Sequence, residues 1–332
     1  MKKELKNKAI LITGGTGFLG RALVKEILKH DPASIRLFSR DEVKHHIVQT
    51  NMPHDKLRYL VGDVRDFERL KRAMKGCDIV IHAAALKRID MIEYNVDESI
   101  KTNILGSMNV VRASLENNIE KVIFVSSDKA CSPVNTYGAC KFVSERIFIE
   151  SNFSKGFAKT VFSCVRYGNV IESTGSVIPF FREKIKSGEA IPLTSPEMTR
   201  FLITAKQAVD LIFTAIKYGE GGEVFVPKLP AFKIPDLIDY LKDKEDASNK
   251  VEVVGVRPGE KIHELMVNEI EAPRTYEFEN VFVITSQIQK YKKKKYYQYL
   301  KKGRKVDFKE YGSGGAVIEG ERLKEYLNRI CV

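Results

Sequence analysis

The run Ala9-Ile-Leu-Ile-Thr13 passes directly into Gly14-Gly-Thr-Gly-Phe-Leu-Gly20, and no other feature of the chain narrows its fold as much. The first five residues read as a buried strand. Gly14, Gly17 and Gly20 then permit a tight turn and the close approach of a pyrophosphate to the start of a helix. Unpaired N–H groups and the helix dipole favour an anion there. Glycine spacing alone is weak evidence; the strand in front of it is what points to a dinucleotide, with Thr16, Phe18 and Leu19 in the same turn.

The same rhythm continues. Ile35 to Ser39, Leu57 to Val61, Ile79 to His82, Val122 to Ser126 and Thr160 to Arg166 read as further strands, with room between them for crossover helices. Six strands in this order predict an α/β fold, a doubly wound parallel sheet. Beyond about residue 170 the chain breaks into Pro- and Gly-rich pieces, with helices expected at Val177 to Ser187, Ala205 to Tyr218 and Ile234 to Lys242. We therefore expect a dinucleotide-binding domain over 1–170, with some sheet and helix contributions from later segments, and a smaller substrate lobe over 171–332.

Composition excludes other classes. With 332 residues, 43% of them hydrophobic, the chain has the apolar content for a sizeable core. No run reaches the roughly 20 apolar residues of a membrane span, and the charged Met1 to Lys8 segment does not read as a signal peptide. A cytoplasmic protein is expected. Five cysteines without a CxxC pair argue against disulfides or zinc. His45 and His46 read as a solvated pair, so no metal is expected. The net charge is +12, and Lys290 to Lys309 holds ten basic residues against one acid. Tyrosines interleave this run, but a solvated or subunit-facing patch is favoured over nucleic acid.

Two further stretches carry chemistry. At the end of the second strand Ser39-Arg40-Asp41 offers an Arg beside a small hydroxyl residue, which favours the 2'-phosphate of NADP, while Asp41 keeps NAD open. Asp63, after the third strand, is either an adenine contact or a turn cap. Farther on, Val122 to Ser126 leads into Ser127-Asp128-Lys129 and then Tyr137-Gly-Ala-Cys-Lys141, a YxxxK at a helix start. A lysine one helical turn from a tyrosine favours its phenolate and makes it a usable base.

At this point the chain resembles the extended short-chain dehydrogenase/reductases. Ser127-Asp128-Lys129-Ala130 has Lys where related 4,6-dehydratases usually carry Glu. Together with Ala85-Leu-Lys87, Lys101-Thr-Asn103, Arg166-Tyr-Gly-Asn-Val170, Met198-Thr-Arg-Phe201 and Arg257-Pro-Gly-Glu-Lys261, it is similar to the inverting, 5-epimerising UDP-N-acetylglucosamine 4,6-dehydratases that supply pseudaminic acid and related surface sugars. The similarity runs from about residue 8 to residue 267. Two departures stand out: Thr174 lacks an Arg usual in that family, and Cys140 replaces a Thr.

The resemblance implies a cycle in which Tyr137 takes the 4-hydroxyl proton, Lys141 supports it, Lys129 removes the C5 proton as a neutral amine, and Asp128 protonates the departing 6-hydroxyl. Ser127 completes the set. It implies cofactor contacts from Ser39, Arg40, Asp41, Lys44, Asp63, Val64, Ala83, Ala84, Ala85 and Lys87 as well as the glycine turn. Lys87, Thr102, Asn103, Asn169, Val177, Arg200, Arg257 and Glu260 are the implied substrate contacts. Lys87 and Arg257 also read as ordinary surface cations, and Arg200 as half of an internal ion pair. A homo-oligomer, plausibly a hexamer, is implied too. A UDP-sugar 4-epimerase on the same scaffold, or a non-catalytic dinucleotide-binding sensor, is the competing function.

Overall fold

The computed structural model describes residues 1–171, 177–288 and 298–330. Its main sheet uses strands β1 (Ala9–Thr13), β2 (Ser34–Ser39), β3 (Leu57–Val61), β4 (Ile79–His82), β5 (Lys121–Val125) and β6 (Val161–Val165). All six lie where the sequence places them, to within a residue at each end. A seventh parallel strand, β7 (Val224–Pro227), follows the helix Ala205–Tyr218, and β8 (Thr275–Phe278), β9 (Val281–Ile284) and β10 (Arg304–Lys305) extend that edge antiparallel. The order is β10-β8-β9-β7-β6-β5-β4-β1-β2-β3.

β1 sits between β2 and β4, with Ile10 paired to Ile35 on one side and Ile79 on the other. Ile10, Leu11 and Ile12 are fully buried, as expected of a parallel strand covered on both faces. The chain reverses its direction of winding between β1 and β4, and the carboxyl ends of those strands open the crevice where such sheets bind ligands.

A second apolar cluster joins three helices, Val177–Ser187, Ile234–Lys244 and Gly320–Ile330, through Ile178, Phe181, Leu237, Leu241, Leu323 and Leu327. Beside it a small sheet pairs Thr199–Ile203 with Asn169–Val170 and Ala231–Lys233. This layer overhangs the ends of β5 and β6. Thr174 lies outside the described residues, as do Lys290, Tyr291, Tyr296 and Tyr297. Tyr299 is buried, its hydroxyl donating to Glu223 Oε1 at 2.9 Å, so part of the basic run belongs to the core.

Candidate active site

Gly14 leaves β1 with φ +71°, a conformation that L side chains rarely adopt. A Cβ at Gly14 would lie 3.0 Å from Ala84 N, and one at Gly20 only 2.3 Å from Gly15 O. The helix Phe18–Leu28 begins at Gly17 without a side-chain cap, so its first N–H groups have no side-chain acceptor in the turn. This cradle fits a dinucleotide pyrophosphate.

At the ribose end Thr16 Oγ1 lies 2.8 Å from Ser39 Oγ, which is 3.0 Å from His45 Nε2. His45 is buried, correcting the solvated reading, because its ring closes the end of β2; His46 is exposed. Asp41 caps the helix Glu42–Asn51, accepting from Lys44 N at 3.0 Å, and pairs with Lys44 Nζ at 2.9 Å. Arg40 is exposed, its Nη1 3.8 Å from Asp63 Oδ2. Asp63 caps its own turn at Arg65 N, 2.9 Å away, and binds the Arg65 guanidinium. Val64 is buried against Gly106.

The Ala83–Lys87 loop is held from two sides. Ala84 N donates to Thr13 Oγ1 at 3.2 Å, and Thr13 lies 2.7 Å from His82 Nδ1. Ser107 Oγ donates to Asn103 O at 2.6 Å, so it accepts from His82 Nε2–H at 3.2 Å, which leaves Nδ1 to accept from Thr13 Oγ1. Burial pushes His82 down to about 3, so the ring is neutral. Asn103 grips the loop with both ends of its amide, accepting from Leu86 N at 2.8 Å and donating to Leu86 O at 3.0 Å. Asn103 and the buried Thr102 share the π-helical turn Ile100–Leu105, a local unwinding common at functional sites. Lys87 stands exposed at the loop's far end.

Ser127, just past β5, caps the short turn Asp128–Ala130 by accepting from Lys129 N at 3.2 Å. Its hydroxyl donates to Asp128 Oδ1 at 2.7 Å and lies beside Tyr137. Asn135 caps the helix Thr136–Ser154, which presses onto this turn: a Cβ at Gly138 would lie 2.3 Å from Lys129 O. Asp128, Lys129, Tyr137 and Ser127 therefore meet, as the sequence predicts.

The two lysines differ in what surrounds them. Lys141 is buried and donates to Val125 O at 2.7 Å, and burial pushes it down to about 8. Burial raises Tyr137 to about 12, with Lys129 and Ser127 pulling the other way. Lys129 is not the depressed, neutral amine that the sequence reading expected. Burial works against its charge, but Asp128 and Glu264 outweigh that and hold it well above the ordinary lysine range. Its Nζ lies 3.0 Å from Asp128 Oδ1, 3.3 Å from Glu264 Oε1 and 3.3 Å from Asn169 Oδ1. Two of these, Asp128 Oδ1 and Asn169 Oδ1, accept hydrogen bonds from the amine, while Glu264 faces it as an ion pair.

The opposite wall comes from the overhanging layer. Arg200 is buried, its Nη1 donating to Thr199 O at 2.8 Å and Ile262 O at 3.1 Å, with Nε 3.9 Å from Glu264 Oε1. The internal pairing that the sequence left open is thus present. Asn169, Glu260 and Lys261 line the same cavity as Lys129 and Arg200. Arg257 is exposed two residues before Gly259, which Asn135 Nδ2 ties down at 2.7 Å. Val177, half-buried, begins its helix. Glu264 was not foreseen; the signal was an acid directly before the apolar strand Leu265–Val267. Among the described residues no group of three or more His, Cys, Asp or Glu is placed to hold a metal.

Residues 10–286 match the family model described as polysaccharide biosynthesis protein. The chain is 44% identical over 283 residues to a UDP-N-acetylglucosamine 4,6-dehydratase (inverting) of Campylobacter jejuni, covering 85% of this chain and 84% of that one. It is 38% identical over 330 residues to a UDP-glucose 4-epimerase of Rickettsia bellii, covering 97% and 91%. The crystal structure of Pen from Bacillus thuringiensis superimposes with a TM-score of 0.91 at 35% identity, covering 98% of each chain.

Proposed function

The chain belongs to the polysaccharide-biosynthesis protein family, among the extended short-chain dehydrogenase/reductases, and from that membership we propose that it is an inverting 4,6-dehydratase of UDP-N-acetylglucosamine. The observation that carries this reading is the Asp128–Lys129 pair beside Tyr137. A 4-epimerase needs the tyrosine and the cofactor but no acid and base at C5 and C6. The Rickettsia relative's name supports the epimerase as the second reading.

The glycine cradle would hold the cofactor, with Lys141 at its ribose. NADP is preferred, because Asp41 is engaged in capping while Arg40 is exposed. A nicotinamide, when bound, accepts the C4 hydride and returns it at C6. The chain's own work is proton traffic. Tyr137 takes the 4-hydroxyl proton as its phenolate, the form that the neighbouring Lys129 charge favours. The resulting ketone acidifies C5.

Here the roles expected from sequence are exchanged. Asp128 Oδ1 accepts from both Ser127 and Lys129, the pattern of an ionised carboxylate, and its buried Oδ2 has no partner. Asp128 takes the C5 proton. The Lys129 ammonium protonates the 6-hydroxyl, which leaves as water and gives the 4-keto-5,6-ene. Reduction at C6 and protonation at C5 complete UDP-2-acetamido-2,6-dideoxy-β-L-arabino-hex-4-ulose, a precursor of surface sugars such as pseudaminic acid. Thr102, Asn169, Val177, Arg200, Arg257 and Glu260 surround the sugar nucleotide, while Asn103 acts on the loop bearing Lys87.

The reading includes a cytoplasmic setting and an assembly of identical subunits. No described helix is long and apolar enough to cross a membrane. An apolar cleft between the helices Gly106–Glu116 and Thr136–Ser154, lined by Met108, Val111, Leu115 and Ile147, supports self-association. Incubation with UDP-N-acetylglucosamine followed by mass spectrometry tests the function: the product should lack one water, and an unchanged mass would favour the epimerase.

A further inference from the structure

We propose that Glu264 is a positioning residue that fixes Lys129 as an ammonium in the site cavity, so that Lys129 meets the substrate as a proton donor; this rests on the dehydratase reading. The two residues are far apart in sequence. Glu264 arrives from the overhanging layer, its backbone N–H anchored on Ser313 Oγ at 2.8 Å, and its Oε1 reaches Lys129 Nζ at 3.3 Å.

Its environment differs from that of a structural buried acid. Glu145 and Glu271 each use both oxygens on Arg166, whereas Glu264, 2% exposed, has an Oε2 without a hydrogen-bond partner. An orphaned buried oxygen is costly, so a purely structural acid here would be poorly placed. Glu264 and Lys129 instead line one cavity.

The charges facing Lys129 decide its protonation. Asp128 adjoins it on its own turn, Glu264 and Glu260 face it from the overhang, Arg200 and Lys261 oppose it from the same side, and Tyr137 stands on the neighbouring helix. With Glu264 neutralised, Asp128 would be the one carboxylate among the described residues left in direct ion-pair contact with Lys129, against Arg200 and Lys261. The ammonium would then lose its proton at lower pH, and the donor would be absent over part of the working range.

The test reads Lys129 directly. Wild type and Glu264→Gln are labelled with trace acetic anhydride across a pH series, and acetylation of Lys129 is followed by peptide mass spectrometry. Below the lysine's pKa the neutral fraction scales tenfold per unit, so a fall of one unit raises labelling about tenfold at fixed pH. We expect at least that rise in Glu264→Gln, and a smaller one in Glu264→Asp. The high-pH limb of product formation should move down with it.

Unchanged Lys129 labelling, or a uniform loss of turnover with an unmoved pH profile, would overturn the proposal. If Glu264→Gln does not fold, Glu264→Asp carries the same comparison. A labelling shift in a protein that removes no water from UDP-N-acetylglucosamine would leave the positioning role standing and reject the dehydratase reading.

Discussion

Lys129 Nζ lies 3.0 Å from Asp128 Oδ1, although side chains adjacent in an extended segment point to opposite faces. The tight turn Asp128–Ala130, capped by Ser127, brings them to one side. The resulting pair has one member ionised to accept and the other charged to donate. Asp128→Asn keeps the shape and removes the base, so product formation should fall by about 10²- to 10⁴-fold. The first oxidation should survive, visible as partial cofactor reduction on mixing with substrate. Full turnover in this variant would take Asp128 out of the proton transfers.

For Tyr137 the expected result is a clean separation of binding from chemistry. Tyr137→Phe retains the ring against the helix and the turn but loses the hydroxyl beside Ser127. Bound cofactor should persist through gel filtration while turnover drops by about 10²-fold or more. Turnover near wild type would exclude Tyr137 as the base.

Arg40 should decide between the two dinucleotides. Its guanidinium is half-exposed, 53%, and only loosely tied to Asp63 at 3.8 Å, so it can turn toward a 2'-phosphate. A hydrogen bond to a charged group contributes about 1.5–3 kcal/mol. Arg40→Ala should therefore weaken NADP by about tenfold or more in calorimetric titration, with little change for NAD. Equal losses would make Arg40 a structural residue.

Stability has its own buried electrostatic centre. Arg166, 1% exposed, binds Glu145 Oε2 at 2.6 Å and Glu271 Oε2 at 2.7 Å, joining β6 to the overhanging segment. Burial would raise the Glu271 carboxyl, but Arg166 holds it down at about 2, against an ordinary 4.5. That contribution is present above about pH 4.5 and lost as pH falls toward 2. Arg166→Met leaves two carboxylates buried without their partner. It should cost roughly 3–5 kcal/mol at pH 7 in urea unfolding. The deficit should shrink on acidification, as the stranded acids take up protons; a gap that widens would contradict this assignment.

Much of this was legible locally. β1 and its glycines, the YxxxK helix and the Ser127–Lys129 turn are contiguous runs in which residue type sets both backbone and chemistry. β7 was missed because four residues ending in Pro227, within a Gly- and Pro-rich stretch, carry no strand period of their own. Glu264 was missed for another reason: its role exists only once the overhang folds across the end of β5. The exchange of roles that we propose for Lys129, from base to acid, has the same origin. Nothing adjacent to Lys129 in sequence reveals a second carboxylate, and that carboxylate is what keeps the amine charged.

Stereochemistry gives the sharpest test, because it depends on which groups face C5. Once Asp128 has taken the C5 proton and water has left, C5 and C6 are planar and both faces of C5 are open to protonation. A retaining enzyme would return the proton from Asp128, the group that removed it. Inversion requires a donor on the opposite face, and we expect inversion on the strength of Lys129 standing where related retaining enzymes carry a glutamate. Turnover in heavy water should place one deuterium at C5, and the proton couplings of the product should report the L-arabino configuration. Lys129→Ala should block elimination at the 4-keto stage, leaving partial cofactor reduction but no water loss. A D-xylo product keeping the original C5 configuration would reject the inverting assignment while leaving the dehydratase intact.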